Sequence, residues 1–278
     1  MASQRNGQDQ SLAGKVALIS GSSAGIGAAI ALELSRHGAS VIINYPFPSD
    51  KAAATAILQS LPTSDKSIIS EADLTTFDGA KQLAAVAAKT FGHVDILVNN
   101  AGYSGFCNIS EASDSEIQQT WEKTVNLNGR GTFFLTYAVL PILAPGGSRI
   151  INLGSSTSRD PDPHMGIYAG TKGMIESFTR SWARDLPRRH GCTVNAVIPG
   201  PTGTEALLAA ESGAFAGILQ ARKESTPVAE RFSKPEEIAW AVRMLCDEGA
   251  RWVNGAFIPV TGEGHCGSTA RVHRSDRT

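Results

Sequence analysis

Tyr168 and Lys172 stand four residues apart in the run Tyr-Ala-Gly-Thr-Lys. On a helix that spacing stacks a phenol and an ammonium on one face. A cation beside the ring favours phenolate, so it lowers the tyrosine pKa from its ordinary value of about 10. Such a tyrosine can give or take a proton near neutral pH. The same pair also fits a half-exposed helix with a snorkelling lysine, so its surroundings must decide.

A second pattern supplies them. Ser20-Gly21-Ser22-Ser23-Ala24-Gly25-Ile26-Gly27 follows the apolar run at 16–19 and opens an alanine-rich segment. Gly21 suits a left-handed turn. Gly25 removes a side chain that would block a pyrophosphate, and Gly27 lets helix and sheet approach. A helix beginning there offers free N–H groups to an anion. The placement between strand and helix points to dinucleotide binding rather than an ordinary glycine turn. The loop has no Gly-Lys-Ser/Thr, which argues against kinase or ATPase chemistry.

The elements around these motifs alternate. Short apolar strands are expected at 16–19, 41–44, 67–71, 96–99, 149–153, 193–198 and 257–260. Helices are expected at 26–37, 50–61, 79–91, 116–140 and 167–189. Fully apolar strands separated by helices imply a doubly wound, seven-stranded parallel sheet with helices on both faces. Ligands then bind beyond the carboxyl ends of the strands. The stretch 202–233, with a short helix at 205–210, is too long for an ordinary connection and reads as a substrate lid.

Composition sets limits. The chain has 278 residues, 42% of them hydrophobic and 18% charged, which is enough for one large core. It reads as one domain over 1–278, with flexible tails at about 1–11 and 266–278. A net charge of −1 gives no broad attraction to nucleic acid or anionic membrane. The tail residues Arg271, His273, Arg274 and Arg277 read as a frayed terminus. Cys107, Cys192, Cys246 and Cys266 lack metal or redox spacing and read as reduced thiols. The first ten residues lack a signal peptide's apolar core, and no run is long enough to span a membrane. A cytoplasmic protein is expected.

With these motifs in order, the sequence resembles the short-chain dehydrogenase/reductase superfamily, in its compact single-domain branch. The resemblance runs from about residue 12 to 264. It rests on the glycine loop, Asn-Asn-Ala-Gly at 99–102, Asn126-Leu127, Ser155 thirteen residues before Tyr168, the Tyr-x-x-x-Lys, and Pro-Gly-x-x-x-Thr at 199–204. Ketoacyl-thioester reductases and fungal hydroxynaphthalene reductases are the most similar members. The resemblance implies a Rossmann-type fold and a tetrad of Asn126, Ser155, Tyr168 and Lys172. Ser155 would donate to a substrate carbonyl, with Ser156 as a neighbour touching substrate or backbone. Tyr168 would deliver the proton. Lys172 would tune Tyr168 and hold the nicotinamide ribose, and Asn126 would hold a water behind Lys172.

The same resemblance gives the cofactor set as Gly21, Ser23, Gly25, Ile26, Gly27, Asn44, Asp73, Leu74, Asn100, Ala101, Gly102, Tyr168, Lys172, Pro199, Gly200, Thr202 and Thr204. Asp73 would meet the adenine amino group or else cap a helix. The Thr202 amide and Thr204 hydroxyl would meet carboxamide or phosphate. The end of the second strand, Ile43-Asn44-Tyr45-Pro46, carries no acid to repel a 2′-phosphate. NADP(H) is therefore favoured over NAD(H), with Asn44, Ser23 and Lys51 as phosphate partners. Against it, Ala24 stands where many NADP-preferring relatives carry a base.

Tyr103, Ser156, His164 and Met165 are the candidate substrate contacts. Ser104, Phe106, Asp160, Leu207, Leu208 and Phe215 are weaker ones. The function expected is reduction of a small-molecule ketone in polyketide or other specialised metabolism. Two alternatives stand beside it: an NAD-dependent secondary-alcohol dehydrogenase, and a non-redox cyclase, isomerase or cofactor-sensing scaffold. Relatives form tetramers or dimers, and Trp121, Phe133, Phe134, Phe178 and Trp182 could serve such an interface, although core packing suits each better.

Overall fold

The computed structural model describes residues 10–263 apart from 212, 214 and 215. The tails from 1 to 9 and from 264 onward, with Cys266, the basic C-terminal residues and Phe215, lie outside the described residues. Seven strands form one parallel sheet in the order β3-β2-β1-β4-β5-β6-β7. They are β1 (Val16–Ile19), β2 (Ser40–Tyr45), β3 (Ile68–Glu71), β4 (Ile96–Asn99), β5 (Ser148–Leu153), β6 (Cys192–Pro199) and β7 (Phe257–Val260). β1, β4, β5 and β6 are buried along their whole length, which is why apolar residues dominate them.

Among the described residues, ten α-helices surround the sheet: α1 (Gly25–Arg36), α2 (Lys51–Ser60), α3 (Phe77–Phe91), α4 (Asp114–Val125), α5 (Thr132–Val139), α6 (Gly166–Asp185), α7 (Pro187–His190), α8 (Glu205–Ala210), α9 (Ala216–Glu224) and α10 (Pro235–Cys246). The strands alternate between two cores. Ala17 and Ile19 of β1 face one with Ile30 and Leu34 of α1 and Ile238, Val242 and Leu245 of α10. Val16 and Leu18 face the other with Leu83 and Ala87 of α3 and Leu135 and Val139 of α5. Winding runs outward from β1 through β2 to β3, then returns to β4 on the other side of β1. That reversal opens a crevice at the carboxyl ends of β1 and β4.

Three features depart from the sequence expectations. The helix expected over 116–140 is interrupted by a π-helical segment, Asn126–Gly131, between α4 and α5. Two glycines make room for it. A Cβ on Gly129 would lie 2.7 Å from Met174 Sδ, and one on Gly131 would lie 2.7 Å from the Leu74 carbonyl oxygen. The 202–233 stretch holds two helices, α8 and α9. After it α10, which the sequence reading left out, lays six buried residues on the first core. Of the aromatics assigned to the core, Phe134 and Trp182 do pack against the second one. Trp121 and Phe133 instead remain 56% and 43% exposed.

Candidate active site

The glycine loop sits on a rigid base. Gly21 and Gly25 have φ of 59° and 56°, a region that side chains disfavour. Gly27 has no room for a side chain, since a Cβ there would lie 2.3 Å from the Gly21 carbonyl oxygen and 2.5 Å from Asn100 Nδ2. Asn100 donates from Nδ2 to the carbonyls of Ser20 at 2.8 Å and Gly21 at 2.9 Å. Its amide and that of Ala101 both donate to Ser20 Oγ at 2.9 Å. The β4 loop thus clamps the β1 loop. Ser23 and Ile26 lie half-buried beside it.

Asn44 was expected to donate to a cofactor phosphate, and the structure corrects this. Its side chain is buried. Oδ1 accepts the Gly21 N–H at 3.0 Å. Nδ2 lies 3.3, 3.4 and 3.1 Å from the carbonyls of Tyr45, Ser70 and Ala72. With donors and acceptor engaged, Asn44 shapes the glycine loop from below.

Asp73 does not cap α3; Thr76 does, accepting the Gly79 N–H at 3.0 Å. Asp73 follows β3 with its carboxylate bonded to the Thr75 amide and hydroxyl. Leu74 is buried, its carbonyl against Gly131. Pro199 ends β6, and a Cβ on Gly200 would come within 2.9 Å of Thr261 Cα. The Thr202 hydroxyl bonds inward to the Gly200 carbonyl at 3.0 Å. Thr204 caps α8 by accepting the Leu207 amide at 3.3 Å, which leaves its hydroxyl proton to donate elsewhere. Its methyl group would meet a Cβ on Gly25 at 3.2 Å.

Ser155, Tyr168 and Lys172 come together at the carboxyl end of β5. Ser155 is buried beside Tyr168 and caps a short 3₁₀ turn at Ser156–Ser158, its hydroxyl accepting the Thr157 amide at 3.2 Å. Burial raises the Tyr168 pKa, and the Ser155 hydrogen bond works against that rise. Lys172 donates to the Leu153 carbonyl at 2.8 Å, with its Nζ 5.7 Å from the Tyr168 ring centre. Burial brings its pKa down to about 8. The direction at Tyr168 is opposite to the expected one, because withdrawal from water outweighs the interaction with Ser155.

Asn126 and Asn128 both lie on the π-helical segment, and Asn128 is the one whose side chain ties the loop after β4 to α6. Asn126 is half-buried at the head of the π-helical segment. Asn128 is buried, and its Nδ2 donates to Thr171 Oγ1 at 3.0 Å and to the Tyr103 carbonyl at 3.0 Å. Its Oδ1 accepts the Tyr103 amide at 2.8 Å. A Cβ on Gly102 would stand 3.4 Å from Asn128 Oδ1 and 3.6 Å from Lys172 Nζ, so both atoms border one small space.

Of the substrate candidates, Tyr103 is tied to Asn128 and carries Lys123 Nζ 3.9 Å from its ring centre. His164 is exposed with φ 67°, the one non-glycine residue with positive φ among those described. Its carbonyl accepts the Cys107 amide at 2.9 Å, which joins the β4 loop to the segment entering α6. Met165 is buried at the head of α6, and Ser156 is half-buried. Across from them, Arg222 of α9 reaches Asp160 at 3.1 Å, Asp162 at 2.8 Å and Glu263 at 3.6 Å.

This groove fits a dinucleotide. The N-cap of α1 is Ala24, which offers no side chain to the first N–H groups, and the first turn carries no acid. Those donors are left for an external anion. The glycines at 21, 25 and 102 keep side chains out of the path towards Tyr168.

Comparison with known proteins agrees. A family model described as Enoyl-(Acyl carrier protein) reductase matches residues 21–263. The chain is 36% identical over 256 residues to the short-chain dehydrogenase/reductase FrzI of Cladobotryum sp, covering 91% of this chain and 96% of that one. It is 34% identical over 261 residues to the hydroxynaphthalene reductase-like protein Arp2 of Metarhizium acridum, with 91% and 96% covered. A solved structure, a blue fluorescent protein from a metagenomic library in complex with NADPH, superposes with a TM-score of 0.81 at 33% identity, covering 91% and 98%. Glycine cradle, serine–tyrosine–lysine group and full-length similarity agree: the chain is an oxidoreductase that belongs to the short-chain dehydrogenase/reductase family.

Proposed function

We propose that the protein is an NADP(H)-dependent reductase that converts a small-molecule ketone to a secondary alcohol in specialised metabolism. The observation that carries this is the convergence of Ser155, Tyr168 and the buried Lys172 at the carboxyl end of β5, beside the glycine loop. A nicotinamide bound in that groove supplies the hydride. Ser155 donates to the carbonyl oxygen and stabilises the negative charge developing on it. Tyr168 gives that oxygen its proton. Lys172, held on the Leu153 carbonyl, contacts the ribose hydroxyls. Asn126, at the head of the π-helical segment, would hold a water behind Lys172, while Asn128 braces the Tyr103 backbone and Thr171 beside it. Asp73 and Leu74 would border the adenine, and Pro199, Gly200, Thr202 and Thr204 would border the nicotinamide and its phosphates.

Support for NADP(H) is the absence of any acid from Ile43 to Ser49, together with the NADPH bound by the metagenomic relative. The name of the Metarhizium relative brings aromatic polyketide ketones into the substrate range to be tested. The 202–233 stretch closes over the substrate. The exposed rings of Trp121, Phe133 and Tyr137, on α4 and α5, form the face on which a second copy packs. The cytoplasm, where NADPH is kept reduced, suits this direction.

The test is NADPH consumption with a hydroxynaphthalenone, a β-ketoacyl thioester mimic, an o-quinone and a steroid ketone, with NADH alongside. Wild-type turnover that falls about a thousand-fold in Tyr168→Phe is expected. Turnover that survives the substitution, or NADPH binding with no turnover on any ketone, would overturn the assignment.

A further inference from the structure

We infer that Glu176 is a positioning residue for this reaction: through Ser158 and Arg159 it fixes the turn that aims Ser155 at Tyr168. The inference rests on the roles proposed above for Ser155 and Tyr168.

Helix α6 carries Tyr168, Lys172, Glu176 and Arg180 at four-residue steps, so all four share one face. Three of its side chains hold the end of β5 and the turn beyond it. Thr179 Oγ1 accepts from Asn152 Nδ2 at 2.9 Å. Lys172 donates to the Leu153 carbonyl. Glu176 Oε1 accepts from Ser158 Oγ at 2.5 Å and from Arg159 Nε at 3.3 Å, and Oε2 accepts from Arg159 Nη2 at 3.1 Å. Arg180 Nη1 stands 3.5 Å from the same Oε2. Ser155 lies between the second and third of these ties.

Glu176 is only 6% exposed. A carboxylate so withdrawn from water is tolerated only when its lone pairs are filled, and a forked arginine with a hydroxyl fills them. Ser158 shows how the load reaches Ser155. Its single hydroxyl proton has two acceptors in reach, Glu176 Oε1 and the Ser155 carbonyl at 2.7 Å. The charged acceptor wins it. The Ser155 carbonyl keeps the Ser158 amide at 3.2 Å, and the Ser155 hydroxyl accepts the Thr157 amide at 3.2 Å. Without the carboxylate, the Ser158 proton turns to the Ser155 carbonyl and Arg159 loses its fork. The turn then shifts by a fraction of an ångström, enough to misaim a catalytic hydroxyl.

Glu176→Gln keeps the shape but sets an amide NH₂ against the Arg159 guanidinium, donor facing donor. With the ketone that wild type reduces fastest, kcat should fall about ten- to a hundred-fold, while the NADPH dissociation constant stays within two-fold. A second readout is oxidation of the corresponding alcohol, where Tyr168 must act as base. Its pH profile should shift upward, because a displaced Ser155 no longer offsets the burial that raises the Tyr168 pKa. The ionisable groups beside these residues are Lys172, Arg159 and Arg180. A purely structural Glu176 would lower the melting temperature and leave kcat per folded enzyme and the pH limb in place. Ser158→Ala, which removes only the hydroxyl link, decides the matter if Glu176→Gln does not fold. Wild-type kcat and pH limb in the folded variants would overturn the inference. Activity in Tyr168→Phe would instead overturn the reading beneath it.

Discussion

The two ends of the cofactor groove are held by different forces. On one side α1 and α10 pack on the sheet, burying Ile30 and Leu34, and Ile238, Val242 and Leu245. On the other side α8 and α9 bury no residue at all. The attachments of α9 are charges: Arg222 to Asp160, Asp162 and Glu263, and Lys223 to Glu211. Lys223 also lies over the Phe232 ring, 4.6 Å from its centre. Apolar burial is not screened by salt, whereas ion pairs weaken as salt rises. One side of the groove is therefore anchored by a permanent core, while α8 and α9 are held by releasable charge contacts.

Leu34→Ala should break the anchored side most severely. Leu34 is fully buried, and such truncations cost about 2–5 kcal/mol. Urea unfolding in low salt and in molar sodium chloride should show the same loss. A loss that changes sharply with salt would mean that α1, too, is held by charge.

Lys172 gives the next effect, of about 3 kcal/mol at most. Its pKa falls from 10.5 to about 8 on burial. Between those values the unfolded chain holds a proton that the native protein has released, so this group makes stability rise with pH across the window. Lys172→Met should thus gain its greatest relative stability below pH 8, and that advantage should shrink towards pH 10.5. Unfolding of the cofactor-free proteins at several pH values measures it; a difference flat in pH would show that the ammonium is not desolvated.

Arg222→Ala sharpens the latched side with the smallest effect. KM for the ketone should rise about five-fold, roughly 1 kcal/mol, with NADPH affinity and global stability almost unchanged. Wild-type KM should climb with ionic strength and the variant's should not. Equal salt dependence in both would remove Arg222 from control of the lid.

Sequence legibility follows the same division. The strands were readable because burial on both faces forces unbroken apolar runs such as Val-Ala-Leu-Ile at β1. The serine–tyrosine–lysine group was readable because helix spacing and a strand end position it. Asn44 was misjudged because a polar residue at a strand end looks the same whether it faces a ligand or the backbone beneath a loop. Only three-dimensional closure of β1, β2 and β3 exposes its partners. Helix α10 did carry a signal, with Pro235 at its first position, Glu236 and Glu237 behind it, and Ile238, Val242 and Leu245 in phase. Helix α9 offered no periodicity to read because none of its residues is buried.

The π-helical segment at Asn126–Gly131 behaves as an inserted residue kept in place. A single extra residue advances a helix by about 100°. By absorbing that advance in one wide turn, the chain points Asn128 inward while α4 before it and α5 after it each keep their own facing. Deleting Gly129 would return the segment to regular phase and swing either Asn128 or the aromatic face of α5 out of alignment. Asparagine and aromatic face are therefore tied to one insertion, and shortening this helix by one residue would force a choice between them.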